Sequence, residues 1–181
     1  RAIPEAARSA DVPIWEEDTI YVTPSGLKKR EDELRVLVED TLPEIFEDIG
    51  RAAAFGDLSE NAEYTSALER RDMFTKRGEQ IRAELDRVSL ITPAMLKREE
   101  VTLGSKVTLR DPQTGQSQVF SILGPWDGSP EEGVISYKSP LGRVCLGTSV
   151  GDRVKAELPR GTQEFDVLAV ESALDAPSST D

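Results

Sequence analysis

Residues 56–64 read Gly56-Asp57-Leu58-Ser59-Glu60-Asn61-Ala62-Glu63-Tyr64, an acidic turn between two long stretches of helical period. Upstream, Thr23-Pro24 is a helix start, with Thr23 as N-cap and Pro24 at the first helical position. Apolar residues follow at Leu27, Leu34, Val38, Leu42, Ile45, Ile49 and Ala52, spacings that keep one helical face. Pro43 lacks a backbone donor, so a kink is expected near Thr41-Leu42, with the stripe resuming beyond it. Gly56 ends this arm, and Asp57 with Glu60 has capping-box spacing for the next. Downstream, Tyr64, Ala67, Arg71, Phe74, Gly78, Ile81, Leu85 and Val88 alternate steps of three and four, a heptad seam in which Arg71 and Gly78 are weak members. A short turn between two apolar stripes predicts an antiparallel helical hairpin of modest stability. Arms of about 30 residues would each extend roughly 45–50 Å at 1.5 Å per residue. The turn is thereby held away from any core.

Beyond Thr92-Pro93 the period changes to two. Lys106–Arg110, Gln118–Ile122 and Gly133–Tyr137 read as strands, with a turn at Asp111-Pro112-Gln113-Thr114-Gly115. Pro140–Leu146 fits a short helix ended by Gly147, and Arg153–Leu158 with Gln163–Val170 a closing hairpin around Pro159-Arg160-Gly161. The predicted class is α+β: a helical hairpin over 21–98 with its tip at 56–64, then an antiparallel sheet domain with one short helix over 99–172. Residues 1–20 read as a linker or extension in which Ile14, Trp15 and Ile20 are candidates to dock on the next domain; 173–181 have tail composition. The chain opens on Arg1 rather than Met, which reads as a processed product or a piece of a longer chain.

Composition narrows the functional classes. With a net charge of −12, the 181-residue chain is a poor candidate for a broad phosphate-binding surface, so specific or non-specific DNA binding is not expected. It holds no histidine and a single cysteine, Cys145, inside an apolar run. Ser-His and Cys-His catalysis are therefore excluded, as are an internal disulfide and a Cys/His metal cluster. A buried structural thiol is the favoured reading of Cys145. No apolar stretch approaches membrane-spanning length, and the expected setting is reducing and cytoplasmic.

The tip has two readings. Asp57 and Glu60 lie three residues apart, so their carboxylates can share one side. Hard oxygens in that arrangement suit Mg2+, which often takes only one or two protein carboxylates and keeps several waters. Such a pair would bind weakly alone and would matter where another site already holds a metal and a phosphate. Ser59 and Asn61 could hold a water or phosphate there, beside Glu63 and Tyr64. Acids at a helix N-terminus are equally ordinary caps that complement the dipole.

The stretch also closely resembles the tip of bacterial Gre transcript cleavage factors (the GreA/GreB-like elongation factors). The resemblance runs from about Val22 to Val170, through the opening Thr23-Pro24-Ser25-Gly26, the complete tip, and a second signature at Ser139-Pro140-Leu141-Gly142-Arg143 continuing through Gly147 to Val150-Gly151-Asp152. It implies a coiled-coil hairpin followed by an FKBP-like domain. That domain would dock at the secondary-channel rim of bacterial RNA polymerase, the hairpin would enter the channel, and Asp57 and Glu60 would help hold a second Mg2+ in the polymerase active centre. Backtracked RNA would then be cut near its 3′ end by the polymerase, the factor itself being no enzyme. A channel-binding regulator that does not stimulate cleavage is the alternative. Ser139, Pro140, Leu141 and Gly142 are candidates for the docking surface, or for a proline-started helix in a fold-specific turn. Family members often carry basic residues near the tip; here the nearest cations are Arg51, Arg70 and Arg71, either RNA contacts or surface charges paired with neighbouring acids.

Overall fold

The structure, a computed structural model, describes residues 13–57 and 61–174. Residues 1–12 of the expected linker and the tail from residue 175 lie outside the described residues. The chain divides into two compact units. One is Lys28–Arg87; the other takes the described residues up to Leu27 and from Val88 onward.

The helical unit begins within α1 (Pro24–Val36), runs through a π-helical segment (Leu37–Thr41) into α2 (Leu42–Ala53), and returns along α3 (Ala62–Leu85). The expected disturbance at Pro43 takes the form of that π turn. A proline at 43 has no N–H for the Glu39 carbonyl, and its ring crowds it. Widening the turn relieves the crowding: the Leu42 amide bonds back to the Leu37 carbonyl, five residues away. One extra residue thereby enters the helix and shifts its phase. Leu37 is buried at 6% exposure, whereas Val38, expected on the inner stripe, is 38% exposed.

Along α3 the heptad seam is visible in burial. Ala67, Gly78 and Ile81 are buried, and Tyr64, Arg71, Phe74 and Leu85 are half-buried among exposed neighbours. Gly78, weak by hydrophobicity, has a steric role instead: a Cβ there would lie 2.9 Å from Leu37 Cδ2. The missing side chain makes the socket for the π-segment leucine. Ion pairs flank this seam. Arg30, almost buried, bonds Glu84 through Nε (3.0 Å) and through Nη2, and Glu33 at 2.6 Å; Arg77 meets Glu33 at 2.7 Å. α3 has 24 residues and spans about 36 Å. That is shorter than expected, because the chain leaves the helix after Leu85.

It does so to form a strand. β1 (Ile20–Val22) and β2 (Val88–Leu90) pair in parallel, Ile20 opposite Val88. Val88 therefore belongs to this ladder rather than to the seam, and the ends of the expected 21–98 span belong to the sheet-bearing unit. The main sheet comprises β3 (Ser105–Arg110), β4 (Ser117–Leu123), β5 (Val134–Ser136), β6 (Arg153–Leu158) and β7 (Gly161–Ser172), in the order β5-β4-β3-β7-β6. Three pairings are antiparallel as expected, while β4–β5 is parallel. The parallel return passes through a 3-10 turn, Pro130–Glu132, and Gly133. Gly133 has φ +70, and a Cβ there would lie 2.6 Å from the Val119 carbonyl oxygen, so glycine is required.

Tyr21, Val101, Leu103, Val107, Leu109, Ile122 and Cys145 are among the residues of one apolar core in this unit, and Ile14 and Trp15 pack against it. Docking, rather than linker behaviour, describes residues 13–20. Burial pushes the Cys145 thiol up to about 11, consistent with an inert structural role.

The opening Thr23-Pro24-Ser25-Gly26 motif has a local cause. The Asp127 carboxylate accepts from the Thr23 amide (3.0 Å), the Thr23 hydroxyl and the Gly124 amide (2.9 Å). A Cβ at Gly26 would lie 2.2 Å from Asp127 Oδ1. Thr23 Oγ1 in turn caps α1, accepting from the Gly26 amide at 3.2 Å.

Candidate functional site

The tip is built by the way α2 stops and α3 starts. The Ala54 and Phe55 amides bond back three residues, to Arg51 and Ala52 at 3.2 Å each, which tightens the last turn. Gly56 then takes φ +120 with no atom within 4 Å of a hypothetical Cβ. Its glycine is needed for backbone freedom, and the chain leaves the helix there. Asp57 follows, exposed. Leu58, Ser59 and Glu60 lie outside the described residues, so no distance relates Asp57 to Glu60.

The cap of α3 is Asn61, not the Asp57–Glu60 box expected from spacing. Asn61 is extended (φ −84, ψ 97), and its Oδ1 accepts from the Tyr64 amide at 3.0 Å. Its Nδ2 donates to the Ala52 carbonyl at 2.8 Å. One amide therefore satisfies a free donor at the start of α3 and gives the Ala52 carbonyl, which already accepts from the Phe55 amide, a second bond at the end of α2. It ties the two arms together just behind the acids, where the sequence reading gave it a water or phosphate. Glu63 sits exposed in the first turn of α3, where its charge complements the helix dipole, and Tyr64 opens the seam half-buried.

The three arginines near the tip are all paired with acids. Arg51 and Arg70 both bond Asp48, Arg70 Nη2 meeting Oδ2 at 2.7 Å, and Arg71 bonds Asp72 at 2.7 Å. Hydrogen bonds from Arg70 and Arg51 hold the Asp48 carboxyl below its usual range. Asp48 was not singled out from sequence. Its i,i+3 spacing to Arg51 was readable, but the bond to Arg70 needs the register between arms. Asp48, Arg51, Phe55, Glu63 and Arg70 also line a groove of about 520 Å3 beside the tip.

The second signature resolves into structure and surface. Ser139 caps α4 (Pro140–Cys145), its Oγ accepting from the Gly142 amide at 3.1 Å and donating to the Ser136 carbonyl at 2.7 Å. Leu141 and Gly142 are buried, and a Cβ at Gly142 would lie 2.3 Å from the Ser136 carbonyl oxygen. These two positions therefore build the fold. Pro140 is exposed, as are Lys138 and Arg143 on either side.

Among the described residues no cluster of three or more acidic or cysteine side chains could hold a metal by itself, and no helix is long and apolar enough to cross a membrane. Asp57 and Glu60 offer the hard oxygens that suit Mg2+, but two carboxylates leave most of its coordination shell to other donors.

Two family models match in series. "Transcription elongation factor, N-terminal" covers residues 20–90, and "Transcription elongation factor, GreA/GreB, C-term" covers 96–172. The transcription elongation factor GreA of Clostridium acetobutylicum is 37% identical over 155 residues, 86% of this chain and 98% of that protein. That of Thermodesulfovibrio yellowstonii is 34% identical over 153 residues, 84% of this chain and 97% of the relative. A GreA of Borreliella burgdorferi is 37% identical over 147 residues, but the aligned part is only 16% of that much longer protein. With both models matched in order over most of its length, the chain belongs to the GreA/GreB transcription elongation factor family.

Proposed function

We propose that this chain acts on bacterial RNA polymerase by inserting the hairpin tip into the secondary channel, where it stimulates the polymerase to cleave backtracked RNA. The reading is carried by the family match across both halves, together with an acid pair in the turn between the two arms. Asp57 and Glu60 would supply two oxygen ligands toward a Mg2+ shared with the polymerase; that ion supplies Lewis-acid activation of water and charge neutralisation at the phosphate. The chain's own contribution is positional. Asn61 bonds the end of α2 to the start of α3 and so fixes the base of the loop that carries the acids. The seam and the Arg30–Glu84 and Glu33–Arg77 pairs keep the arms together behind it. Chemistry remains with the polymerase, which regains an RNA 3′ end in its active centre after the cut. Pro140, Lys138 and Arg143 are the exposed candidates near the second signature for contact with the channel rim.

The test is a backtracked elongation complex with labelled RNA. Wild-type protein is expected to accelerate release of short 3′ fragments, and a D57A/E60A double variant to lose that acceleration by about a hundredfold or more while still binding the polymerase. Undiminished cleavage by the double variant overturns the metal-sharing role. Polymerase binding by the wild type without any acceleration favours instead a channel-occupying regulator.

A further inference from the structure

The N-terminal family model begins at residue 20, so residues 13–19 precede the matched hairpin. They are nevertheless built onto the sheet-bearing unit. Ile14–Glu16 form a 3-10 turn, and Ile14 and Trp15 pack against the apolar core. Trp15 reaches the chain just past the end of α4, where its Cζ2 would lie 3.7 Å from a Cβ at Gly147. The Tyr21 hydroxyl donates to Glu17 Oε2 at 3.3 Å and steadies the segment at its other end. Held at these two points, Glu16 and Glu17 line a cleft of about 450 Å3 together with Trp15, Tyr137, Lys138 and Arg143.

Lys138 and Arg143 are the exposed cations on either side of Pro140, offered above for contact with the polymerase. Cations select acidic partners, and both steering and affinity depend on the net field that a surface presents. Two carboxylates in the same cleft cancel the formal charge of the two cations. Among the described residues neither cation closes an ion pair, and Lys138 Nζ lies 5.7 Å from the centroid of the Tyr137 ring. The cancellation therefore acts through the shared field and leaves both side chains able to reach a partner. We propose that residues 13–18 form an autoinhibitory strap, whose acids lower the affinity of the surface of Lys138 and Arg143 for an acidic face of the polymerase. The inference rests on the docking reading above and deepens it by naming what restrains that contact. Trp15 is the anchor, and Glu16 and Glu17 carry the opposing charge. Because the cations and acids are near the surface, salt weakens the restraint.

The experiment measures equilibrium binding of the whole chain to bacterial RNA polymerase by fluorescence anisotropy, at low and at high salt. E16Q/E17Q keeps side-chain size and should tighten binding about fivefold at low salt, a gap that closes at high salt. Trp15→Ala removes the anchor but not the charges, and should move the affinity in the same direction. In a K138A/R143A background, the two glutamine substitutions should change nothing. If they leave affinity unchanged or weaken it in the native background, while K138A/R143A alone still weakens it, the strap is overturned and the docking reading stands. Tightening that persists in the K139-independent sense of a general charge effect, that is, with Lys138 and Arg143 both replaced, overturns the strap as well. If K138A/R143A alone binds as tightly as the wild type, the docking reading fails and the strap fails with it.

Discussion

The two units are held by different physics. The sheet-bearing unit closes on one continuous apolar core in which Val101, Leu103, Val107 and Ile122 have no exposed surface. The helical unit buries only a thin line: Leu37, Ile45, Ala52, Ala67 and Ile81. Around that line, acids and arginines meet between its arms. Burial scales with apolar area, whereas exposed ion pairs contribute about 0–1 kcal/mol each and are screened by salt. The comparison teaches that the hairpin is the less stable unit.

The largest test of that comparison lies in the sheet-bearing unit. Gly142→Ala puts a Cβ 2.3 Å from the Ser136 carbonyl oxygen, a backbone atom that cannot swing aside. A loss of about 3 kcal/mol or more is expected in chemical denaturation, at the upper end of overpacking costs. A nearly neutral result would mean that the β5–α4 corner gives way easily, and that the supposed rigid unit is not rigid.

Next comes the hairpin seam. Ile81 is fully buried between the arms, and Ile81→Ala should cost about 2–4 kcal/mol. Because the unit has so little other core, the loss should appear as faster amide exchange along α2 and α3, with β3 and β7 left protected. Equal loss of protection in β3 and β7 would show that the two units melt as one.

Acid should separate them further. Burial alone would push the Glu33 carboxyl up, but hydrogen bonds from Arg77 and Arg30 outweigh it and leave the value lowered. Asp48 is lowered by bonds from Arg70 and Arg51. A carboxyl whose folded value lies below its unfolded one stabilises the fold above the unfolded value, and loses that contribution as pH falls through the folded one. The loss therefore begins near the ordinary values, 4.5 for Glu33 and 3.8 for Asp48, and grows below them. Helical circular dichroism is expected to fall in that range before near-ultraviolet signals of the sheet-bearing unit, and added salt should move the helical transition to higher pH. Coincident transitions at every salt concentration would break the distinction.

How much of this was legible depended on how local each cause is. The seam from Tyr64 to Leu85 was readable because heptad spacing is a property of one helix. Pro43 announced a disturbance, yet a kink and a π turn look alike in sequence, and only the backbone shows that Leu37 replaces Val38 on the inner face. β1 and β2 escaped notice because a three-residue parallel ladder between Ile20 and Val88 has no local pattern. In the candidate site, Asp57 and Glu60 stood out by type and spacing. Asn61 stood out as a short polar group, but its role in tying the arms together was hidden, since its second bond, to Ala52, exists only when the arms are side by side. Phe55 gave no signal at all: one aromatic before a glycine is unremarkable until a groove opens beside it.

The smallest effect is the sharpest test of how the hairpin is packed. Gly78→Ala inserts a methyl 2.9 Å from Leu37 Cδ2, close enough to require a shift. That neighbour is the far end of a flexible side chain, unlike the Ser136 carbonyl beside Gly142. Repacking it costs about 1 kcal/mol, and replacing a mid-helix glycine by alanine returns about 1 kcal/mol of helix propensity. The two nearly cancel, so thermal denaturation should show a change within about 1 kcal/mol. Gly78→Val should be clearly worse, because a branched side chain both fills the socket and lowers propensity. Loss of several kcal/mol in the alanine variant would mean that Leu37 is locked by the π turn and cannot yield. The thin line of contacts would then be as unforgiving as the core of the sheet-bearing unit, and the hairpin's lower stability would come from its small buried area alone.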